Sequence, residues 1–509
     1  MSDETTKGIC YLIGAGPGDP GLMTLKGKEC IEAADVLVYD YLCNPMFLGW
    51  AKPEAEKIYV GKKAGDHTLT QDQINALIVE KTEAGHVVAR LKGGDPLIFG
   101  RGGEEGQELR TAGVAFELVP GISSSIAGPA YAGIPVTHRA CNAQLTIFTG
   151  HEDPTKGKTS IDYAQIAKTP GTKVMLMGVS RLASITAQLI EHGLSADEPA
   201  ALVRWATTGR QQSLVGTVGT LAQLAEKAEF KAPAVCVIGE VVTLRDDLNW
   251  FEQRPLFGKR VVVTRTRTQA SGLAKTLENL GADVIELPTI RIDPPADLEE
   301  FYRVVIDGHK YDWIVFTSPN GVEAFFDAFY KIYPDARSLG GARIAVVGPG
   351  TEKKVNSYRF TADLKPKKGD YVAEGLCRAF DDNDITLDNL QVLWVKAEQT
   401  RETIDEFMRE RMAICDHAIA YRTVPETEDV SGGQARFTAE GADLITFTSA
   451  LTVECFLDLG LSIPDGCQIA TMGPITSDQV RENGYDVDIE PSDSTIPDFV
   501  DAIVAGLTK

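Results

Sequence analysis

Short apolar runs alternate with longer amphipathic stretches along almost the whole chain, the pattern of an α/β protein. In the first half, Ile9–Gly14 predicts a strand, Leu25–Ala34 a helix and Val36–Tyr39 a second strand. Thr70 with Gln73 reads as a capping box that opens a helix, and Gly85 ends it. Further strands are predicted at Leu145–Thr149, Lys173–Met177, Ala200–Val203 and Val235–Ile238. The alternation breaks over Arg245–Lys259, which carries Pro255 and Gly258 but also Trp250, Phe251 and Phe257. That composition predicts a short connector pinned by aromatics rather than a free tether. The pattern then restarts with a strand at Arg260–Thr264 and a helix at Ala270–Leu280, with Gly281 as its C-cap.

The second half contains an internal echo. Tyr311–Ser318 and Gly441–Ser449 both run through an apolar strand into F-T-S. Ile344–Thr351 and Ile469–Thr476 both pass through G-P-x-T. Each piece reads as a buried strand, a small or hydroxylated turn and a helix start, so two similar subdomains are expected.

Length changes this picture by requiring several cores: 509 residues predict two to four domains. Net charge is −22, concentrated in the second half, which argues against nucleic acid as a bulk partner. A polyanionic substrate would have to be caught by local basic groups against the overall field. The nine cysteines are scattered without a C-x-x-C pair, and the seven histidines form no H-x-x-x-H pair. No metal site is expected, and a reducing, cytoplasmic setting fits. No apolar run suggests a membrane span, and the polar Met1–Lys7 does not read as a signal peptide.

Two glycine-rich stretches carry the candidate chemistry. Arg90–Glu105 reads R-L-K-G-G-D-P-L-I-F-G-R-G-G-E-E, with a carboxylate at Asp95 inside backbone bare enough to approach a ligand closely. Gly14–Gly21, G-A-G-P-G-D-P-G, follows the first strand. A dinucleotide fingerprint is its rival reading, with Asp35 or Asp40 as the ribose acid. Pro17 and Pro20 weigh against that, because they remove N–H donors a pyrophosphate would need.

With both motifs in view, residues 8–245 resemble uroporphyrinogen III C-methyltransferases of the tetrapyrrole methylase family. The resemblance also rests on V-Y-D at 38–40, V-G-K at 60–62, V-P-G-I-S-S at 119–124, G-I-P-V-T-H-R at 133–139 and L-M-G at 176–178. It implies a two-lobed tetrapyrrole methylase fold over 1–245, S-adenosylmethionine as cofactor, and uroporphyrinogen III methylated twice, at C2 and C7, to precorrin-2. Carried over by residue, the cofactor would meet Pro17, Gly93, Gly94, Asp95, Ile98, Ser123, Ser124, Met177 and Ala206. Asp40 would accept a proton and Lys62 donate one. Arg101 and Arg139, with Arg90 and Lys63, would offer charge to substrate carboxylates. The family also implies a homodimer through this half.

After a linker at 246–257, residues 258–509 resemble uroporphyrinogen III synthases. The pieces are G-K-R-V-V-V-T-R at 258–265, I-V-F-T-S-P-N-G-V at 314–322, A-V-V-G-P-G-T at 345–351, A-E-G-L at 373–376, Y-R-T at 421–423, F-T-S at 447–449 and M-G-P-I-T at 472–476. The implied fold has two α/β lobes, 258–291 plus 424–509 and 292–423. The implied reaction closes hydroxymethylbilane with inversion of ring D and loss of water. Thr264, Ser318, Thr448, Ser449 and Thr476 lie at strand-end turns that could bind the substrate's carboxylates. The family gives Tyr421 the role of assisting loss of the hydroxyl.

The expectation is therefore a bifunctional enzyme. One rival keeps the methyltransferase and makes the second half a tetrapyrrole-binding module without activity. Another makes the first half an NAD-binding oxidoreductase.

Overall fold

The computed structural model describes residues 8–61, 69–151, 159–265, 267–429 and 432–508. Two compact units form, one running through Lys259 and taking in Glu278–Asp283, the other comprising Arg260–Leu277 and the chain from Val284 onward.

In the first unit β1 (Ile9–Gly14), β2 (Val36–Tyr39), β3 (Glu56–Tyr59), β4 (Val87–Lys92) and β5 (Ala115–Val119) make one sheet in the order β3-β2-β4-β1-β5. Every pairing in it is parallel. Parallel strands need covered faces, and Leu12, Ile13, Val36, Leu37, Val38, Val88 and Ala89 are all buried. The connection after β1 leaves toward β2 and the one after β4 leaves toward β5, on opposite sides. A crevice therefore opens at the carboxyl ends of β1 and β4, the usual place for a ligand in such a sheet.

The chain then builds a mixed sheet from β6 (Leu145–Thr149), β7 (Thr172–Leu176), β8 (Pro199–Arg204), β9 (Gln212–Thr217) and β10 (Ala234–Ile238), ordered β6-β7-β10-β8-β9. The predicted strands fall here within a residue at each end. The capping box of Thr70 and Gln73 forms with both of its hydrogen bonds, at 3.3 and 2.8 Å.

Residues 246–257 fall within the first compact unit. Trp250 and Phe251 lie against Tyr131, with ring centroids 5.0 and 4.8 Å away, and Phe257 lies edge-on to Phe251. Glu252 pairs with Arg245 and accepts from Gln211 at 2.9 Å and Ser213 at 2.5 Å.

The second unit contains β11 (Arg260–Val263), β12 (Asp283–Glu286), β13 (Ile290–Asp293), β14 (Trp313–Phe316), β15 (Arg343–Val346), β16 (Gln391–Ala397), β17 (Ile414–Pro425), β18 (Leu444–Phe447) and β19 (Gln468–Thr471). They form two sheets, β12-β11-β18-β19 and β13-β17-β16-β14-β15. The antiparallel pair β13–β17, in which Ile290 faces Pro425, lies at the edge of the second sheet. The echo seen in the sequence is structural. Ser318 and Ser449 each N-cap the helix after a fully buried strand, and Pro349 and Pro474 each open the helix after the next strand. Asp363 and Asp488 repeat one further detail, accepting from the backbone of Ile344 and Ile469 at 2.7 and 2.8 Å.

Candidate active sites

The first site is made of strand-end backbone. Gly16 and Gly94 form a small antiparallel bridge, with Gly94 N–H donating to Gly16 at 2.7 Å and Gly16 N–H donating back at 3.1 Å. Gly121 fits so close that a Cβ on it would stand 2.4 Å from Gly94 O and 2.6 Å from Gly14 Cα. Gly16 and Gly94 also adopt positive φ, 73° and 72°, which side chains resist. Asp95 staples this cradle by accepting from Gly121 N at 3.0 Å and Leu97 N at 2.8 Å. Ser123 caps the helix Ser124–Tyr131, and its hydroxyl lies 2.8 Å from that of Ser125.

The dinucleotide reading fails at this loop for a concrete reason. The N–H groups of Ala15, Gly16, Asp19 and Gly21 are spent on Lys92 O, Gly94 O, Thr207 Oγ1 and Asp19 Oδ1. Pro17 and Pro20 have none, and the helix begins only at Leu25, capped by Thr24. The short 3-10 turn inside the motif, Pro20–Leu22, is capped by Asp19, whose carboxylate already takes the Gly21 N–H and would repel a pyrophosphate.

Asp40 follows β2, beside the crevice. Its Oδ1 accepts from Leu42 N at 3.0 Å, and the same turn touches the cradle, since a Cβ on Gly93 would lie 2.7 Å from Leu42 Cβ. Arg90 Nη1 stands 4.0 Å from Asp40 Oδ2. Lys62 and Lys63 lie outside the described residues.

The other sequence-predicted residues divide. Met177 follows β7 with φ 56° and remains 48 % exposed, and Ile98 is also exposed. Ala206 is buried between two residues with positive φ, Trp205 and Thr207, and faces the position a Cβ on Gly128 would take. Arg101 is exposed but already held by Glu104 through a forked contact at 2.6–3.1 Å, so a substrate carboxylate would have to displace that glutamate. Arg139 is exposed in the turn before β6.

Sequence reasoning missed the clasp that ties the two lobes of this unit together. Asp19 accepts from Tyr131 Oη at 2.6 Å while its N–H donates to Thr207 at 3.0 Å. Asn44 donates to Gly18 O at 2.8 Å. The acid within G-D-P was the signal available, but its partners lie over a hundred residues away.

The second site centres on Tyr421. β16 lies between β17 and β14, and the phenol and the Ser318 hydroxyl meet at 2.9 Å. Asn320 also hydrogen-bonds the phenol, a contact not foreseen although it lies within T-S-P-N-G-V. Burial raises the phenol pKa above its ordinary value, and the bonds from Ser318 and Asn320 partly offset this. The group is a neutral O–H donor over the physiological range. Ser449 and Thr448 are half-buried at the matching turn of the other sheet.

Thr264 and Thr476 are more enclosed than the other three hydroxyl residues of these turns. Thr264 is fully buried and donates to Thr446 O at 2.8 Å. Thr476 is buried in the first turn of its helix. The Thr264 hydroxyl is thus satisfied within its lobe.

Asp405, Cys415 and His417 cluster away from these turns. Asp405 is already shared between Arg409 and His417. The Cys415 thiol is pushed up to about 12 by burial and then by the charges of Asp405 and Asp416, so it stays protonated.

Comparison with known proteins agrees with this two-part architecture. The Tetrapyrrole (Corrin/Porphyrin) Methylases family model matches residues 10–222, and the Uroporphyrinogen-III synthase HemD model matches 271–501. The porphyrin biosynthesis protein HemD of Ruminiclostridium josui is 38 % identical over 459 residues, covering 90 % of both chains. The uroporphyrinogen-III C-methyltransferase of Bacillus subtilis is 42 % identical over 65 % of this chain and 68 % of its own. The S-adenosyl-L-methionine-dependent uroporphyrinogen III methyltransferase of Methanosarcina barkeri is 50 % identical over 48 % of this chain and 96 % of its own. With a relative matched over nine-tenths of both lengths and a family model on each half, the chain belongs to the porphyrin-biosynthesis family that joins a tetrapyrrole methylase to a uroporphyrinogen-III synthase, two enzymes in one polypeptide.

Proposed function

We propose that this chain converts hydroxymethylbilane to precorrin-2 in two consecutive reactions. The second unit closes the linear bilane with inversion of ring D and release of water, giving uroporphyrinogen III. The first unit then methylates that product at C2 and C7. The observation that carries the reading is the glycine cradle at the ends of β1 and β4 with the Asp40 carboxylate at the end of neighbouring β2.

S-adenosylmethionine, whose sulfonium supplies the methyl group, is the cofactor this cradle fits. Gly14 and Gly121 let the strand-end loops pack backbone against backbone, Gly16 and Gly94 take the positive φ of the turns, and Asp95 fixes these loops before the cofactor arrives. Pro17, Gly93, Ile98, Ser123, Ser124, Met177 and Ala206 complete the proposed contacts. Such a donor is already reactive, so the protein's work is alignment and proton management. Asp40 accepts the proton lost from the macrocycle after carbon attack, and Lys62 is the proposed donor. Arg101 and Arg139 meet substrate carboxylates, Arg101 by exchanging Glu104 for them.

In the second unit Tyr421 gives a proton to the departing hydroxyl, and Ser318 fixes the phenol's direction. The half-buried Ser318, Thr448 and Ser449, at helix starts, suit carboxylates of a folded bilane. Exposed Leu118, Ile122 and Ile126 of the first unit support a homodimer through that unit. A cytoplasmic location fits the family's chemistry, and no helix among the described residues is long and apolar enough to cross a membrane.

The test is a coupled assay of the purified chain with hydroxymethylbilane and S-adenosylmethionine, products being separated by isomer and methyl count. Precorrin-2 is expected. Uroporphyrinogen I with no III isomer would overturn the synthase assignment, and unmethylated uroporphyrinogen III would overturn the methylase assignment.

A further inference from the structure

Beneath the first site lies a group of buried charges that the reaction as described does not use. Arg90 and Lys92 point to one face of the central strand β4 and are only 3 % and 5 % exposed. Glu105, on the helix Gly102–Thr111, is fully buried against them. Its Oε1 takes Lys92 Nζ at 2.6 Å and Gln71 Nε2 at 3.0 Å, and lies 3.4 Å from Arg90 Nε. Burying three charges costs several kcal/mol each before pairing, on the order of what their attraction returns, so stability alone gives weak reason to keep them.

The set is also unsaturated. Arg90 Nε and Glu105 Oε2 are buried without a hydrogen-bond partner. Two cations face one anion in the closed interior, and the next anion outward is Asp40. Arg90 thus stands between two carboxylates. Nη1 donates to Leu91 O at 2.8 Å and stops 4.0 Å short of Asp40 Oδ2. An arginine next to a lone carboxylate ordinarily closes a forked pair at hydrogen-bond distance. Among the described residues, Tyr59, Tyr41, Cys43 and Lys92 are further titratable groups whose charges act with that of Asp40.

We infer that Glu105 is a positioning residue for methylation: from the helix that covers this face of β4 it draws Arg90 back, so that Arg90 does not close on the Asp40 carboxylate. With Glu105 neutralised, Arg90 swings forward, forms the forked pair and occupies the oxygens that must receive the proton. This rests on Asp40 being the proton acceptor, as proposed above.

The test compares full-length Glu105→Gln, Glu105→Gln/Arg90→Gln and Asp40→Asn, assaying methylation of supplied uroporphyrinogen III. Glu105→Gln is expected to lower kcat about 10-fold with KM for S-adenosylmethionine and substrate within about 2-fold. The double variant is expected to regain part of that kcat, because the guanidinium that blocks Asp40 is gone. A double variant no better than the single one, or a Glu105→Gln enzyme with wild-type kcat, overturns the inference. If Asp40→Asn methylates normally, the proton-acceptor reading itself fails, a result the Glu105 variants cannot produce. Should Glu105→Gln fail to fold by circular dichroism, Glu105→Asp replaces it. That variant keeps the charge but falls short of Arg90, with the same loss and the same recovery expected.

Discussion

Tyr131 Oη donates to Asp19 Oδ2 at 2.6 Å, and this bond spans the two lobes of the first unit. Asp19 belongs to the loop after β1. Tyr131 belongs to the helix leading toward the second sheet and is braced by Trp250 and Phe251 of the connector. The loop that forms one wall of the cradle is therefore held in place by residues beyond position 245. Burial and then the Asp19 bond push the Tyr131 pKa up, so the phenol remains a donor.

Tyr131→Phe should accordingly weaken S-adenosylmethionine binding without touching cyclisation. Loss of one hydrogen bond to a charged group is worth about 1.5–3 kcal/mol, or roughly a 10- to 100-fold rise in Kd. Isothermal titration with the full chain measures it, and an unchanged Kd would show that the loop keeps its place without the clasp.

Gly121→Ala should be more severe. Its Cβ would sit 2.4 Å from Gly94 O, where no side-chain carbon fits, so the cradle must open. Cofactor binding is expected to fall by more than about 10-fold. Cyclisation of the bilane by the same preparation should persist, which separates a local defect from misfolding.

Asp40→Ala should leave bilane cyclisation intact and slow methylation by about 100-fold or more. Equal loss of both activities would point instead to a folding defect. The isomer-resolved coupled assay reports both in one experiment.

Tyr421→Phe should lower the fraction of the III isomer while methylation of supplied uroporphyrinogen III continues. The phenol is active when protonated, and burial raises its pKa, so cyclisation should hold through the alkaline range where a free tyrosine ionises. Ser318→Ala removes a bond that lowers this pKa and should move the alkaline fall further up. A fall at lower pH than in the parent would contradict the assigned direction.

Glu252 links pH to the stability of the first unit. Burial opposes its ionisation, but bonds from Arg245, Ser213 and Gln211 outweigh burial and hold its carboxyl below the ordinary glutamate value. A depressed pKa gives stability that is present above the unfolded value and lost as pH falls through the folded one. Glu252→Gln should therefore lower the unfolding temperature at neutral pH, and the difference from the parent should shrink below pH of about 4. Thermal melts followed by circular dichroism across that range check the sign.

Most strands were legible from the chain because apolar runs of strand length bounded by glycine or proline leave little choice in a parallel sheet. β1, β2 and β6 fall where the pattern puts them. Ser318 and Ser449 as helix caps were equally local. The connector was only half legible. Its aromatics announced that it would be pinned, but not that Glu252 would gather Arg245, Gln211 and Ser213. The partner of Thr264 was not legible, because a hydroxyl after a strand looks the same in sequence whatever it faces, here the neighbouring Thr446 carbonyl.

By itself the sequence determined the order of elements, the two glycine motifs, the repeated strand–turn–helix units and the residue types of both sites. These depend on spacing and backbone freedom, which act over a few neighbours. The tertiary structure alone decided which groups meet: Asp19 with Tyr131, Tyr421 with Ser318, and Arg90 between Glu105 and Asp40. Such pairings depend on strand order and burial, because a charge or hydroxyl removed from water takes whatever partner packing brings within reach.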